Sequence, residues 1–190
     1  MIAGVWLLLK TAQHKNNSLK IQLSNNLNIY KMAHTVHIYT DGAAKGNPGP
    51  GGYGVVMEQV GTGYRREFYE GFRLTTNNRM ELLAVIVGLE KLKTPGTEVL
   101  VVSDSKYVVD SVSKGWVFGW EKKGYAGKKN PDLWQRFLKI YRKHKVDFKW
   151  IKGHNSHPQN ERCDELAVMA STLPKLNIDA YYEEIGQKLA

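Results

Sequence analysis

The sequence predicts an α/β fold in which helices flank a mixed sheet. Three short runs rich in β-branched and aromatic residues, at 36–40, 53–60 and 64–72, follow one another across glycine-containing turns, which is typical of an antiparallel meander. A helical stretch at about 77–92 then leads to a buried strand at 97–103. Since a strand reached through a helix is most economically parallel to an earlier one, we expect it beside the first strand.

The first strand leads into an acidic and glycine-rich stretch. β-Branched residues alternate with His37 and Tyr39 at 36–40, and Asp41-Gly42 follows directly. A loop at 46–52 turns the chain into the second strand, so the two strands are antiparallel neighbours. This loop lacks the terminal Lys-Ser/Thr pair of a P-loop and does not open a helix, which excludes that type of phosphate site. Asp41 is therefore expected at the carboxyl end of an interior strand.

The first helix is expected to lie buried in the fold. Asn77 or Asn78 is the predicted cap, and Glu81 stands near the first turn. The helix is apolar all round at 82–89, as expected for a helix packed between a sheet and other elements. It is predicted to end at about Leu92.

Four further elements complete the predicted fold. A short helix is expected at 104–113, a longer helix begins at about 130, and a fifth strand lies at 146–151. A final helix is expected at 161–172, after the loop 153–160.

The length of 190 residues fits one domain with a tail at each end. We expect a domain at 32–173, a C-terminal tail at 174–190, and a disordered extension at 1–31. We also hypothesise that synthesis begins at Met32, so that the extension is not part of the native protein. Its apolar run, 2–9, is too short to span a bilayer.

Cysteine content and charge narrow the class of protein. The single cysteine, Cys163, excludes an intramolecular disulfide and a multi-cysteine zinc site, which favours a cytoplasmic setting. The formal charge is +9, and residues 114–145 contain ten Lys or Arg and two acids. Such a basic block indicates an anionic partner bound on one region of the surface.

Four carboxylates follow or begin the predicted elements: Asp41, Glu81, Asp104 and Asp164. Taken singly, each has a structural explanation. Asp41 suits a turn and Glu81 a capping box. Asp104 suits a helix N-cap, and Asp164 complements the positive end of a helix. Together they are expected to converge. Asp41 and Asp104 end adjacent parallel strands about 5 Å apart, and the first turns of two helices bring the other two to that edge.

Four carboxylates at one edge would repel one another and any phosphate unless a cation lay between them. Hard divalent cations such as Mg²⁺ take oxygen ligands. Two such ions about 4 Å apart serve in-line attack on a phosphodiester. The sequence therefore predicts a site for two Mg²⁺ ions, with Mn²⁺ as an alternative, that hydrolyses a phosphodiester.

Five segments carry a resemblance to type 1 ribonuclease H. They are TDG at Asp41, the GNPGPGGYG that follows it, TTNNRMEL at Glu81, SDSKYV at Asp104, and KGHNSHPQNERCDELA at Asp164. Their order over residues 35–172 makes the match highly specific. The resemblance implies a ribonuclease H-like fold with a mixed five-stranded sheet, and a catalytic domain at 32–173. It implies endonucleolytic cleavage of the RNA strand of RNA/DNA hybrids, leaving 3'-hydroxyl and 5'-phosphate ends, by metals on the four carboxylates.

The resemblance also implies a catalytic role for His154. An imidazole titrates near neutral pH, which suits proton transfer or product release from a loop close to Asp164. Without the motif, a surface histidine with no task would be the better interpretation. His157, beside Pro158, is expected to shape the loop.

Further residues are implied to bind the hybrid. Asn47 and Asn77 or Asn78 are expected to read the minor groove, where 2'-hydroxyls distinguish RNA from DNA. Thr76 and Asn130 resemble a pocket for a phosphate of the DNA strand.

The resemblance is incomplete at that pocket. Relatives often carry an Arg where Leu74 stands, and here Arg73 lies one position earlier. Lys106, beside Asp104, completes the predicted substrate-binding set outside the basic segment.

The basic segment resembles a protrusion, or handle, that lies along the hybrid. The handle residues are Trp116, Trp120, Lys122, Lys123, Lys128 and Lys129. Phosphate contacts there would be independent of sequence and sensitive to salt. The handle is a few residues shorter than in some relatives, which favours weaker binding. For the charged residues at 136–143, a solvated surface and direct contact with the hybrid are equally good explanations.

Two rival functions remain open from the sequence. A binding-only module would hold hybrids or structured RNA without cutting them, and the presence of all four carboxylates argues against it. A nuclease acting on DNA junctions or strand ends would share the fold, and the TTNN segment and the handle favour hybrids instead. We expect a monomer with no membrane contact and no obligate protein partner.

Overall fold

A five-stranded sheet is the centre of the computed structural model, which describes residues 36–153 and 157–185. Its strands are β1 (Val36–Ala44), β2 (Gly49–Gln59), β3 (Arg65–Thr75), β4 (Glu98–Ser103) and β5 (Lys145–Trp150). Their order is β3-β2-β1-β4-β5. The first three strands pair antiparallel, whereas β4 is parallel to both β1 and β5. The predicted mixed sheet is thereby confirmed.

Six helices accompany the sheet in the described part of the chain. They are α1 (Asn77–Glu90), α2 (Lys106–Ser113), α3 (Trp116–Lys122), α4 (Pro131–Tyr141), α5 (Pro158–Ala170) and α6 (Ala180–Glu184). Helices α1, α2 and α4 contribute to the larger apolar core, with Trp134 and Phe137 of α4 fully buried. Helix α5 contributes Cys163 and Leu166 to a second core cluster with residues of β1, β2 and β4.

Helix α1 is buried as its sequence predicts. Every residue from Met80 to Leu89 is buried except Glu81, which is partly exposed. The predicted caps were wrong, because Thr76 occupies the N-cap position and its side chain makes no capping hydrogen bond. Asn77 is the first helical residue, and its side chain bonds Glu81 instead.

The glycine-rich stretch was predicted as a wide loop at 46–52, and most of it is strand. β1 continues past Asp41 to Ala44, and β2 begins at Gly49. The glycines of β2 permit close helix packing, since a Cβ at Gly54 would clash with the carbonyl oxygen of Cys163 in α5. Glycine is therefore needed here for close packing of the helix on the strand as well as for the turn.

We predict that Gly54→Ala moves α5 away from the sheet. The added methyl group has no room beside the Cys163 carbonyl, and overpacking costs about 1–3 kcal/mol. We expect a lower free energy of unfolding in urea and lower hybrid cleavage, because Asp164 adjoins Cys163. Gly119→Ala is the control, since a Cβ at that helical position meets no atom within 4 Å. Unchanged stability of Gly54→Ala would contradict the packing argument.

The C-terminal tail, predicted to fold weakly against the body, packs on β3. The backbone N–H of Arg73 donates to the carbonyl of Asn177 at 3.0 Å, and the N–H of Asn177 donates to Gly71 at 2.8 Å. Helix α6 follows these bonds.

Some predictions fall outside the described residues, among them the extension 1–31, His154 and the last five residues, 186–190. None of the helices in the described ranges combines the length and the apolar character needed to cross a bilayer.

Candidate active site

Asp41 and Asp104 lie next to each other at two adjacent parallel strands, Asp104 directly after β4 and Asp41 within β1. The expectation that Asp41 ends the first strand was wrong, because pairing with β2 continues to Ala44. The last parallel pair joins Thr40 of β1 to Ser103 of β4, and each aspartate is the next residue. Both side chains are partly buried. The structure therefore brings together the two carboxylates that the strand pattern had placed at one edge.

Glu81 and Asp164 reach the same edge from two helices. Helix α1 begins at Asn77, and α5 begins at Pro158, three residues before its predicted start. Glu81 and Asp164 therefore each lie in the second turn of their helix, whereas they were predicted in the first. Glycines of β1 and β2 allow these helices to approach. A Cβ at Gly42 would clash with the backbone nitrogen of Glu81, and Gly54, opposite Asp41, lies against the residue before Asp164.

The four charges act on one another at this edge. Burial raises the pKa of Asp41 to about 8, and the charges of Asp104, Asp164 and Glu81 add to the increase. A hydrogen bond from the N–H of Gly42 at 2.7 Å opposes it. All four predicted carboxylates therefore belong to one electrostatic cluster, in which burial and the neighbouring charges oppose the ionisation of Asp41.

Glu81 is held by two neighbouring side chains. Ser105 donates its hydroxyl to Oε2 at 2.5 Å, and the Asn77 amide donates to Oε1 at 2.9 Å. Burial raises the pKa of Glu81, Asp104 adds to the increase, and these two hydrogen bonds oppose it. The hydrogen bonds from Ser105 and Asn77 fix the orientation of the Glu81 carboxylate.

Two further residues position Asp104 and were missed in the sequence. The Asn160 amide donates to Oδ2 at 3.2 Å, and the Trp150 indole N–H donates to the backbone carbonyl at 2.9 Å. Trp150 lies opposite Ser103 in the β4–β5 register. No local pattern in the sequence specifies this register. Asn160 could have been found, because it is a polar residue at helical spacing from the apolar Cys163 and Ala167.

Among residues 36–153 and 157–185, no three His, Cys, Asp or Glu side chains are placed to hold a metal ion together as they stand. The chemistry of the cluster nevertheless fits a hard divalent cation, because its donors are oxygens and a cation would relieve the cost of ionising Asp41. The buried Oδ1 of Asn160 also lacks a hydrogen-bond partner. It offers one more oxygen beside Asp104.

The predicted minor-groove residues lie beside the carboxylates. The backbone N–H of Asn77 donates to Oδ1 of Asn47 at 3.2 Å, which joins the loop before β2 to the start of α1. Asn78 is exposed. Lys106 is also exposed, with its ammonium 5.0 Å from the ring centroid of Trp150.

Thr76 and Asn130, the predicted phosphate pair, line one cavity of about 470 Å³. The Asn130 side chain donates to the Tyr107 hydroxyl at 3.1 Å. Arg73 does not line this cavity, because its guanidinium is paired with Glu183 at 2.7 Å. Arg73 is therefore not placed to act in this cavity in place of the arginine that the resemblance led us to expect at the position of Leu74.

The handle projects its cations into solvent. Trp116 is 47% exposed, whereas Trp120 is half-buried with its ring 5.6 Å from that of Trp134. The lysines of the handle are all exposed: Lys122, Lys123, Lys128 and Lys129. Trp120 thus has a packing role that its sequence position did not reveal.

Comparison with known proteins places this geometry in a family context. The RNase H family model matches residues 33–172. The chain is 54% identical over 149 residues to ribonuclease H of Desulforamulus reducens, which covers 76% of this chain and 92% of the relative. It is 50% identical over 156 residues to ribonuclease H of Rippkaea orientalis, with coverage of 80% and 94%.

Two solved structures are also similar. The crystal structure of LC9-RNase H1, a type 1 RNase H with the type 2 active-site motif, has a TM-score of 0.66 and 34% identity, covering 80% of each chain. LC11-RNase H1 in complex with an RNA/DNA hybrid has a TM-score of 0.53 and 31% identity, covering 71% of this chain and 95% of that one.

Proposed function

The chain belongs to the ribonuclease H family, and from this premise we propose that Asp41, Glu81, Asp104 and Asp164 form its catalytic metal site. The enzyme hydrolyses the RNA strand of RNA/DNA hybrids endonucleolytically. The observation that carries the site assignment is that Asp41 and Asp104 directly follow paired residues of two adjacent parallel strands. The helices that bear Glu81 and Asp164 pack against Gly42 and Gly54 beside them. The products are proposed to carry 3'-hydroxyl and 5'-phosphate ends.

Two Mg²⁺ ions, or Mn²⁺ in their place, would supply activation of water and stabilisation of the leaving oxygen. The residues of the chain prepare the site for them. Asp41 would lose its proton when a cation binds. Ser105 and Asn77 hold the Glu81 carboxylate in a fixed orientation through their hydrogen bonds. Asn160 and Trp150 steady the side chain and backbone of Asp104.

The hybrid is proposed to lie across the carboxylates from the Asn47–Asn77 pair to the handle. The amide groups of Asn47, Asn77 and Asn78 would contact the minor groove, and the lysines of the handle would contact phosphates. His154 is proposed to move protons or to assist product release. The proposal includes a monomer that acts in the cytoplasm without an obligate protein partner.

A substrate panel tests the proposed function. The expected result is cleavage of an end-labelled RNA/DNA hybrid, with no cutting of single-stranded RNA, RNA duplex or DNA duplex. Tight hybrid binding without cutting would favour the binding-only module. Preferential cutting of DNA junctions would favour the second rival.

We predict that the handle makes hybrid binding sensitive to salt. Lys128→Gln combined with Lys129→Gln should lower the slope of log affinity against log salt by about two, one for each lost phosphate contact. The measurement is fluorescence anisotropy with a labelled hybrid at several NaCl concentrations. Lys91→Gln with Lys93→Gln is the control, since it removes the same charge after the C-terminal end of α1. A flat salt response of the wild-type protein would contradict the role of the handle.

A further inference from the structure

The segment 173–185, here called the strap, forms one side of the 470 Å³ cavity. The match to the family model ends at residue 172, so the strap lies beyond it. Tyr181 and Tyr182 of the strap line the cavity together with Thr76 and Asn130. The strap is therefore placed to contact whatever occupies the predicted phosphate pocket.

Three side-chain contacts fix the strap to the domain, in addition to its backbone bonds with β3. Glu183 pairs with Arg73 at 2.7 Å. Asp179, which is 8% exposed, accepts a hydrogen bond from the Thr75 hydroxyl at 2.8 Å and pairs with Arg79 at 2.6 Å. A segment held at both Asp179 and Glu183 presents Tyr181, between them, in a defined position.

One buried arginine and two exposed lysines line this cavity. Arg79 is 2% exposed, and its donors are occupied by Asp132, Asp179 and Asn130. Attraction for an anion therefore comes from the exposed Lys128 and Lys129, which also line the cavity.

The Tyr181 ring lines the same cavity as these lysines. The Arg79 guanidinium lies 5.4 Å from the centroid of the ring, and this contact fixes the ring orientation. Since Tyr181 is only partly buried, part of the ring faces the cavity. Cations and an aromatic ring around one cavity are suited to a sugar–phosphate backbone, because the cations attract its phosphates and the ring can pack on the apolar face of a sugar.

We propose that Tyr181 is a substrate-binding residue on whose ring the sugar–phosphate backbone of the bound hybrid packs, and that the Arg73–Glu183 pair positions it. This inference rests on the proposed function and extends its phosphate pocket by a wall from the strap. The strap thereby contributes to affinity for the hybrid and takes no part in the chemical step.

Steady-state kinetics on an RNA/DNA hybrid test the proposal. Tyr181→Ala should raise KM about tenfold, which corresponds to the loss of one aromatic contact with nucleic acid. The value of kcat should stay within about twofold, because none of the four carboxylates lines the cavity that Tyr181 lines. Tyr181→Phe, which retains the ring, should keep KM within about threefold of the wild type.

The ion pair is tested with a matched control on the same helix. Glu183→Ala should raise KM, whereas Glu184→Ala, at an exposed neighbouring position, should not. The double exchange Arg73→Glu with Glu183→Arg should recover most of the affinity that Glu183→Ala loses. Thermal melting of each variant shows how much stability the strap provides.

Unchanged KM in both Tyr181→Ala and Glu183→Ala would overturn the inference, even if both variants melt at a lower temperature. A lower kcat with unchanged KM would overturn it as well. Anisotropy with the hybrid in an Asp41→Asn background provides a second readout that needs no cleavage. Failure of the wild-type protein to cut hybrids would overturn the proposed function alone.

Discussion

Asp41→Asn is expected to lower the rate of hybrid cleavage by on the order of 10³-fold or more, while the protein stays folded and binds the hybrid. The amide removes one anionic ligand from the cluster without changing its shape. The measurement is single-turnover cleavage with saturating enzyme and Mg²⁺. Asp147→Asn is the matched control, because Asp147 is an exposed aspartate on β5, two strands away from β1 in the same sheet. Cleavage within about tenfold of wild type would contradict the assignment.

The same variant should be more stable than the wild type in EDTA. The folded pKa of Asp41, about 8, is above its unfolded value, 3.8, so the unfolded state is ionised first as pH rises. The free energy of unfolding therefore decreases as the pH rises from 3.8 to about 8. At pH 7 this loss is on the order of 4 kcal/mol, which Asp41→Asn should restore. Urea denaturation at pH 5 and pH 7 measures the effect. A less stable Asp41→Asn would contradict the electrostatic cluster.

Arg79→Met is expected to lower the free energy of unfolding by about 3–5 kcal/mol. The guanidinium is 2% exposed and pairs with Asp132 at 2.8 Å and with Asp179 at 2.6 Å. Its removal leaves two carboxylates without a counter-charge, one of them buried. The expected loss is measured by urea denaturation at neutral pH.

Arg136→Met is the matched control for this substitution. Arg136 pairs with Glu90 at 2.7 Å, but its side chain is 46% exposed, so the expected cost is below about 1 kcal/mol. If Arg79→Met and Arg136→Met lowered the free energy of unfolding equally, burial of the ion pairs of Arg79 would not be the reason that they stabilise the protein.

Strand order and the approach of Asp41 to Asp104 were predictable from the sequence. Glycine turns between alternating runs specify the meander, and the apolar helix α1 requires a crossover that makes β4 parallel to β1. The two aspartates follow paired residues, so strand pairing alone brings them together.

Contacts between distant segments were not predictable in this way. Gly54 was correctly placed in the second strand, but its packing against Cys163 was not predictable, because sequence does not show which backbone a strand will meet. The bond from Trp150 to Asp104 depends on strand register, and the pairing of Arg79 with Asp179 spans 100 residues. The strap resembled a weakly folded tail because its contacts are few and specific, with no repeating pattern.

The Mg²⁺ dependence of hybrid cleavage at several pH values between about 6 and 9 tests the central claim most directly, because protons and the cation compete for Asp41. We expect no cleavage in EDTA, and a half-saturating Mg²⁺ concentration that falls as pH rises toward the Asp41 pKa of about 8. Cleavage that persists in EDTA would contradict a metal site built from the four carboxylates. A half-saturating concentration that does not change with pH would contradict the role of Asp41 in it.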